Sequence, residues 1–135
     1  MTDTITAHLN FRGQARSALE FYRTVFGGDV TIATYADTHQ ADDPAQADAV
    51  AFGQLTSPTG LRLLAYDVQT AKPYDQGRNS FYLALHGDDP VATRYQWDRL
   101  IERGSVLTPL GPSAFAPLYG MLTDRYGVTW IVSAG

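Results

Sequence analysis

The sequence predicts an α+β fold of two βαβββ modules within one domain of 135 residues. Two observations carry this. Apolar residues recur at helical spacing in two stretches, over 14–28 and from Pro90 to Ile101. Each stretch follows one β-type run and precedes three more, bounded by glycine, proline and aspartate. The modules fall at about 1–70 and 78–135.

ITAHLNF (5–11) alternates as a strand does, and Gly13 ends it. QARSALEFYRTVFGG (14–28) sets Ala15, Ala18, Leu19, Tyr22, Val25 and Phe26 on one helical face, and Gly27-Gly28 closes it. DVTIATYA (29–36) is β-branched and aromatic, so a strand. THQADDPAQAD (38–48) is polar with a proline, so a loop. AVAFGQLTS (49–57) and LRLLAYDV (61–68) are strands joined through SPTG (57–60). QTAKPYDQGRN (69–79) is a second polar connection. SFYLALHG (80–87) is a strand. A helix then starts with Asp88 or Asp89 as N-cap and Pro90 near its first position. Its apolar face is read as Val91, Tyr95, Leu100 and Ile101, with Trp97 on the flank, and Gly104 stops it. Residues 106–111, 113–124 and 128–134 are the closing strands. Within LTDRYGVTW (122–130), Asp124 opens a tight turn and Gly127 closes it. A four-stranded unit that buries one face cannot stand alone. Pairing two such units predicts a concave cleft.

Composition narrows the function classes. With 44 % apolar residues the chain is globular. Net charge is −4, and the ten basic residues are scattered, so neither a nucleic-acid footprint nor a polybasic membrane patch is expected. The absence of cysteine excludes disulfides, thiolate catalysis and thiolate metal sites. The first residues have neither the basic nor the apolar region of a signal peptide, and no apolar run reaches a membrane span, so a cytoplasmic location is expected. Walker, GxGxxG, HExxH and nucleophile-elbow patterns are missing.

EFYRTVFGGDV and GMLTDRYGVTW carry a resemblance. The first has a Phe21-Tyr22 pair and, after a short gap, Gly27. The second has Asp124 and Gly127 at a turn. Both resemble the vicinal-oxygen-chelate superfamily (glyoxalase/bleomycin-resistance/dioxygenase), and within it the PhnB-like branch, some of whose members carry a 3-demethylubiquinone methyltransferase-like label. The similarity covers nearly the whole chain. It implies paired βαβββ modules in an incomplete barrel, and a homodimer. It also implies a divalent metal held by His, Gln or Glu from the first and last strands of each module, acting as a Lewis acid.

Carried onto this chain, those ligand positions fall near Thr6 (with Ala7 and His8 adjacent), Leu64, Tyr82 and Ile131. Only His8 is a metal donor of the usual kind, and one histidine does not hold a divalent cation. No metal and no other cofactor are therefore expected, and no catalytic residue is assigned.

The candidate ligand-binding set is His8, Phe52, Gln54, Tyr66, Tyr82, Tyr119 and Trp130. His8 is read as a core or pocket histidine, or as an acid/base group. Phe52 and Gln54, two apart on a strand, should share a face. Gln54 either bonds a neighbouring strand or orients a ligand. Tyr66, Tyr82, Tyr119 and Trp130 fall on the strands that the resemblance places around the barrel, as core or as stacking walls. His39 and the pair Asp42-Asp43 are expected in solvent, and His86 at a capping or surface position. Glu20 and Glu102, near arginines, are read as solvated helix faces. Ser17, Ser80 and Ser113 have no histidine nearby in sequence.

Three functions compete on these residues. One is a metal-independent binder of a small molecule. Another is a metal-dependent lyase, isomerase or dioxygenase using His8 and Gln54. The third is an interaction module whose barrel is filled by Phe52, Tyr82 and Trp130. The methyltransferase reading has no Gly-rich βαβ unit to support it.

Overall fold

A computed structural model describes residues 2–41 and 43–135. The chain divides into two compact units, one ending at Gln76 and one spanning Gly77–Gly135. The first contains β1 (Ala7–Phe11), α1 (Ala15–Phe26), β2 (Asp29–Thr34), a 3-10 turn (Pro44–Gln46), β3 (Val50–Thr56) and β4 (Arg62–Asp67). The second contains β5 (Leu83–Gly87), α2 (Pro90–Leu100), β6 (Ser105–Gly111), β7 (Leu118–Thr123) and β8 (Thr129–Ala134). The predicted α+β order of elements is present in both.

Each unit is one four-stranded mixed sheet carrying one helix. The strand orders are β1-β4-β3-β2 and β5-β8-β7-β6, and neither sheet closes into a barrel. In each, the first and last strands pair in parallel, and the other pairs are antiparallel. The registers also repeat. Phe11 faces Asp67 and Gly87 faces Ala134. The next residues, Val68 and Gly135, donate their N–H groups to the carbonyls of Phe11 and Gly87. On this register His8 and Leu64 correspond to Ala84 and Ile131.

Helix α1 buries Ala15, Ala18, Leu19, Phe21, Tyr22 and Val25 against its sheet. That is the face predicted from spacing except at its end: Phe21 joins it, and Phe26, predicted on it, is only half-buried. Its N-cap residue Gln14 contributes no side-chain hydrogen bond. Asp67, at the end of β4, caps the helix from outside. Its Oδ1 accepts from the N–H groups of Gly13 (2.7 Å) and Ala15 (3.1 Å), and its Oδ2 from Val50 (2.9 Å). These bonds offset the cost of burying a carboxylate that is 2 % exposed.

Helix α2 begins as predicted, with Asp89 accepting from Val91 N–H and Pro90 in the first turn. Its buried face differs from the prediction. Thr93, Trp97 and Leu100 are buried, whereas Val91 and Tyr95 are 79 % and 53 % exposed. The helix carries two apolar stripes, and the sheet takes the one holding the indole. The reason lies in β7, where a Cβ at Gly120 would approach the Trp97 ring to 2.8 Å. The glycine leaves the room the ring fills. Gly53 does the same in β3, where a Cβ would stand 2.5 Å from Leu19 Cδ1. Gly53 pairs with Ala65 and Gly120 with Val132, equivalent positions in the two registers.

The Asp124–Gly127 turn forms as predicted. Asp124 N–H donates to the Val128 carbonyl and Gly127 N–H to the Asp124 carbonyl. Asp124 Oδ1 accepts from Tyr126 and Val128 N–H groups, and Oδ2 accepts from Trp130 Nε1 at 2.9 Å. The signature aspartate is thus explained as a buried hydrogen-bond hub. The segment 38–48, read as loop, contains the 3-10 turn, with Asp43 capping it by accepting from Ala45 N–H. Asp43 is exposed; Asp42 lies outside the described residues. Among the described residues, no helix is long and apolar enough to cross a membrane.

Candidate functional site

In both sheets alternation sends one set of side chains toward the helix and leaves the other set on an open face. On the first sheet, Leu63, Ala65 and Asp67 are buried, while Arg62 is exposed and Leu64 and Tyr66 are half-buried. The open face therefore carries Leu64 and Tyr66, with the residues paired to them. One row crosses all four strands: His8 opposite Leu64, Leu64 opposite Gln54, Gln54 opposite Thr31. Beside it, Asn10 stands opposite Tyr66 and Phe52 opposite Ala33.

His8 is held in place within this row. Its Nδ1 lies 2.8 Å from Asn10 Oδ1. The tautomer protonated at Nδ1 satisfies that contact and leaves the Nε2 lone pair as an acceptor. The Tyr66 ring stands edge-on to the imidazole, with centroids 5.2 Å apart and planes at 73°. Gln54 is a strand-to-strand link: its Oε1 accepts from Arg62 at 2.6 Å and its Nε2 donates to Thr56 Oγ1 at 3.1 Å. Phe52 is 44 % exposed. The structure thus brings His8, Phe52, Gln54 and Tyr66 onto one sheet face, with Asn10 and Arg62 as partners that sequence reasoning missed. The signal for Asn10 was available, because it lies two residues from His8 on one strand.

The second sheet's open face holds the equivalent row Ala84–Ile131–Met121–Thr108. Next to it, Ser133 is flanked by His86 on one side and Tyr119 on the other. His86 Nδ1 lies 2.9 Å from Ser133 Oγ, so this exposed histidine pairs with a side chain and is not a cap. Tyr119 packs edge-on against exposed Phe115, with centroids 5.5 Å apart. Tyr82 precedes β5, is 39 % exposed, and donates its hydroxyl to Asn79 Oδ1.

Trp130 stands elsewhere. It is 2 % exposed and shares strand parity with buried Val132 and Ala134, so it faces the helix side of its sheet. The bond from its Nε1 to Asp124 fixes it there. Ile131 and Ser133, not Trp130, are the residues of β8 that reach the open face.

The donor set fits the metal implied by the resemblance poorly. Leu64 and Ile131 occupy the centres of the open faces and supply hydrocarbon. Thr6 and Tyr82 lie outside the strands. Among the described residues, no three His, Asp or Glu side chains converge as a metal site. Gln54 already bonds Arg62 and Thr56, and His8 offers one ring nitrogen.

Two phenols of the first unit, Tyr35 and Tyr74, are perturbed, both raised by burial first. Tyr35, whose hydroxyl donates to the Asp67 carbonyl at 2.6 Å, has its pKa raised by burial first, then by Tyr66 and Asp67.

Comparison with known proteins bears on the whole chain. The family model described as 3-demethylubiquinone-9 3-methyltransferase matches residues 3–133. A crystal structure of a Pseudomonas aeruginosa protein is 31 % identical, with a TM-score of 0.85 and 98 % of each chain covered. A PhnB protein from Bacillus cereus, whose name carries the same methyltransferase description, is 24 % identical, with a TM-score of 0.79, 98 % of this chain and 100 % of that chain covered. A glyoxylase/bleomycin resistance protein/dioxygenase domain from Frankia shares the fold at 14 % identity and a TM-score of 0.66, with 100 % of this chain and 98 % of that chain covered. No curated protein matches the chain.

Proposed function

This chain belongs to the PhnB-like 3-demethylubiquinone-9 3-methyltransferase family of the glyoxalase/bleomycin-resistance/dioxygenase fold, and from that premise we propose that it binds a small organic molecule without a metal ion. The observation that carries the reading is the row His8–Leu64–Gln54 on the open face of the first sheet. An apolar floor lies there between an oriented imidazole and a carboxamide–guanidinium pair. Leu64, Phe52 and Tyr66 suit the flat apolar body of a ligand. His8 Nε2 accepts a hydrogen bond from a hydroxyl or N–H group on it. Arg62, held by Gln54, offers donors to an oxygen at the other end.

Support for metal independence is chemical. A leucine stands at the position where the family's ligand would come from β4, and an isoleucine stands at the one from β8. A divalent cation needs several oxygen or nitrogen donors around one point. A metal-dependent reading built on His8 and Gln54 would have to break the Arg62–Gln54 bond and still find further ligands. The methyl-transfer activity in the family's name has no support in these residues, since no glycine-rich turn follows a strand to hold a nucleotide-like cofactor.

The test is an NMR screen of small aromatic and heteroaromatic compounds against the labelled full chain. Shift changes clustered at His8, Phe52, Leu64 and Tyr66, lost in His8→Ala, are the expected result. Binders whose shift changes cluster elsewhere would contradict the assignment.

A further inference from the structure

We infer that Ser133 and His86 form a nucleophile–base pair on the open face of the second sheet, and that Ser133 takes the acyl group from esters of phenols. The two side chains come from neighbouring strands, β8 and β5, paired in register. His86 Nδ1 lies 2.9 Å from Ser133 Oγ. A hydroxyl within hydrogen-bond reach of a base is the arrangement that activates a nucleophile. The partner decides the tautomer. Asn10 presents an oxygen to His8, so that imidazole donates through Nδ1. Ser133 presents a hydroxyl, which can itself donate. Nε2 of the exposed His86 makes no hydrogen bond among the described residues. With the proton on Nε2, water accepts it, and Nδ1 accepts from the Ser133 O–H.

The other flank of Ser133 selects the substrate. Tyr119 is its partner on β7 and packs edge-on against Phe115, which is 82 % exposed. Gly111 stands opposite Tyr119 on β6, and a Cβ there would meet nothing within 4 Å, so space is open beside the phenol. An aromatic ring fits against this pair of rings. The Tyr119 hydroxyl makes no hydrogen bond among the described residues, which leaves it to a substrate oxygen. His86 has no carboxylate partner among the described residues, so the leaving group must depart easily, and a phenol does. Ser133 Oγ attacks the acyl carbon as its proton passes to His86 Nδ1. The bond from the acyl carbon to the phenolic oxygen breaks, and His86 returns the proton to the departing phenol. Water then attacks the acyl-serine with the same base, releasing the carboxylic acid and restoring Ser133. The pair and its aromatic wall belong to the second unit, and none of them to the row around His8.

The test is hydrolysis of p-nitrophenyl acetate by the full chain, followed by absorbance of the released p-nitrophenol. The variants are Ser133→Ala, His86→Ala and, as a control, His39→Ala, an exposed histidine of the first unit. The expected result is release above the spontaneous rate in the wild type, abolished in Ser133→Ala, slowed at least about a hundredfold in His86→Ala, and unchanged in His39→Ala. A wild type no faster than buffer overturns the inference, as does hydrolysis that survives Ser133→Ala or is indifferent to His86→Ala. Ser133→Cys gives a second readout, because the chain has no other cysteine. Iodoacetamide is expected to alkylate that thiol at least about tenfold faster than in the double variant Ser133→Cys/His86→Ala, since the imidazole favours the thiolate. Equal alkylation rates overturn the pairing even where Ser133→Ala does not fold.

Discussion

The two modules have one architecture and two surfaces, and the difference separates the residues that build the scaffold from those that vary on its open faces. Their registers coincide, and in both a glycine seats the helix: Gly53 beneath Leu19, Gly120 beneath Trp97. What differs is the row across the open face. In the first module it reads His8–Leu64–Gln54–Thr31, and in the second Ala84–Ile131–Met121–Thr108. The scaffold is repeated and the chemistry is not. The helices differ as well. α1 buries six residues and α2 only three, so one wide aromatic carries most of the second contact.

The largest effect expected is on that contact. Trp97→Ala removes the indole and leaves the space above Gly120 empty, costing about 3–5 kcal/mol. Leu19→Ala in the first module costs about 2–5 kcal/mol. Chemical denaturation gives both values, and a Trp97 loss well below the Leu19 loss would break the view that α2 hangs on one side chain.

Next come the buried carboxylates. Asp67→Ala strands three backbone N–H groups, of Gly13, Ala15 and Val50. Asp124→Ala strands two backbone N–H groups and the Trp130 indole. Each is expected to lower stability by about 2–4 kcal/mol. A loss under about 1 kcal/mol at either site would mean that water replaces these bonds freely.

Smaller again are the glycine seats. Gly53→Ala and Gly120→Ala each force a neighbour to move and are expected to cost about 1–3 kcal/mol. Thermal melts of the two compare the modules directly, and an effect at one position only would show that the seats are not equivalent.

The smallest concerns pH. Burial favours the neutral phenol of Tyr35, so its folded pKa lies above the ordinary value of 10.0. Stability from this group is fully present below pH 10 and is lost as pH rises through the raised value. Absorbance titration of the wild type against Tyr35→Phe should show one late-titrating phenol missing from the variant.

How much of this was legible in the sequence follows physical lines. The order of elements could be read because helical spacing, β-branched runs and glycine or proline breaks are local signals. The seat of α2 could not be read, because Val91 and Tyr95 form as good an apolar stripe as Trp97 and Leu100. The choice depends on Gly120 in a strand some twenty residues away. Nor did the spacing warn that Thr93 is buried. The aromatic character of Trp130 leaves core and ligand wall both open, and the structure takes the core. Parity with Val132 and Ala134, and an aspartate six residues earlier able to take its N–H, are the signals that put Trp130 on the helix side. Of the site, His8, Phe52, Gln54 and Tyr66 were singled out residue by residue. That His8 and Gln54 flank Leu64 in one row depends on strand pairing between residues far apart in the chain, which no local pattern specifies.

The central claim is that the first module's open face holds an organic ligand at the place where a cation would need donors. The most direct measurement is metal stoichiometry by elemental analysis and native mass spectrometry, after the full chain has been incubated with Mn, Fe, Ni or Zn and desalted. The account predicts no ion retained at one per chain. One equivalent of a single metal, held tightly and released by His8→Ala, would contradict it.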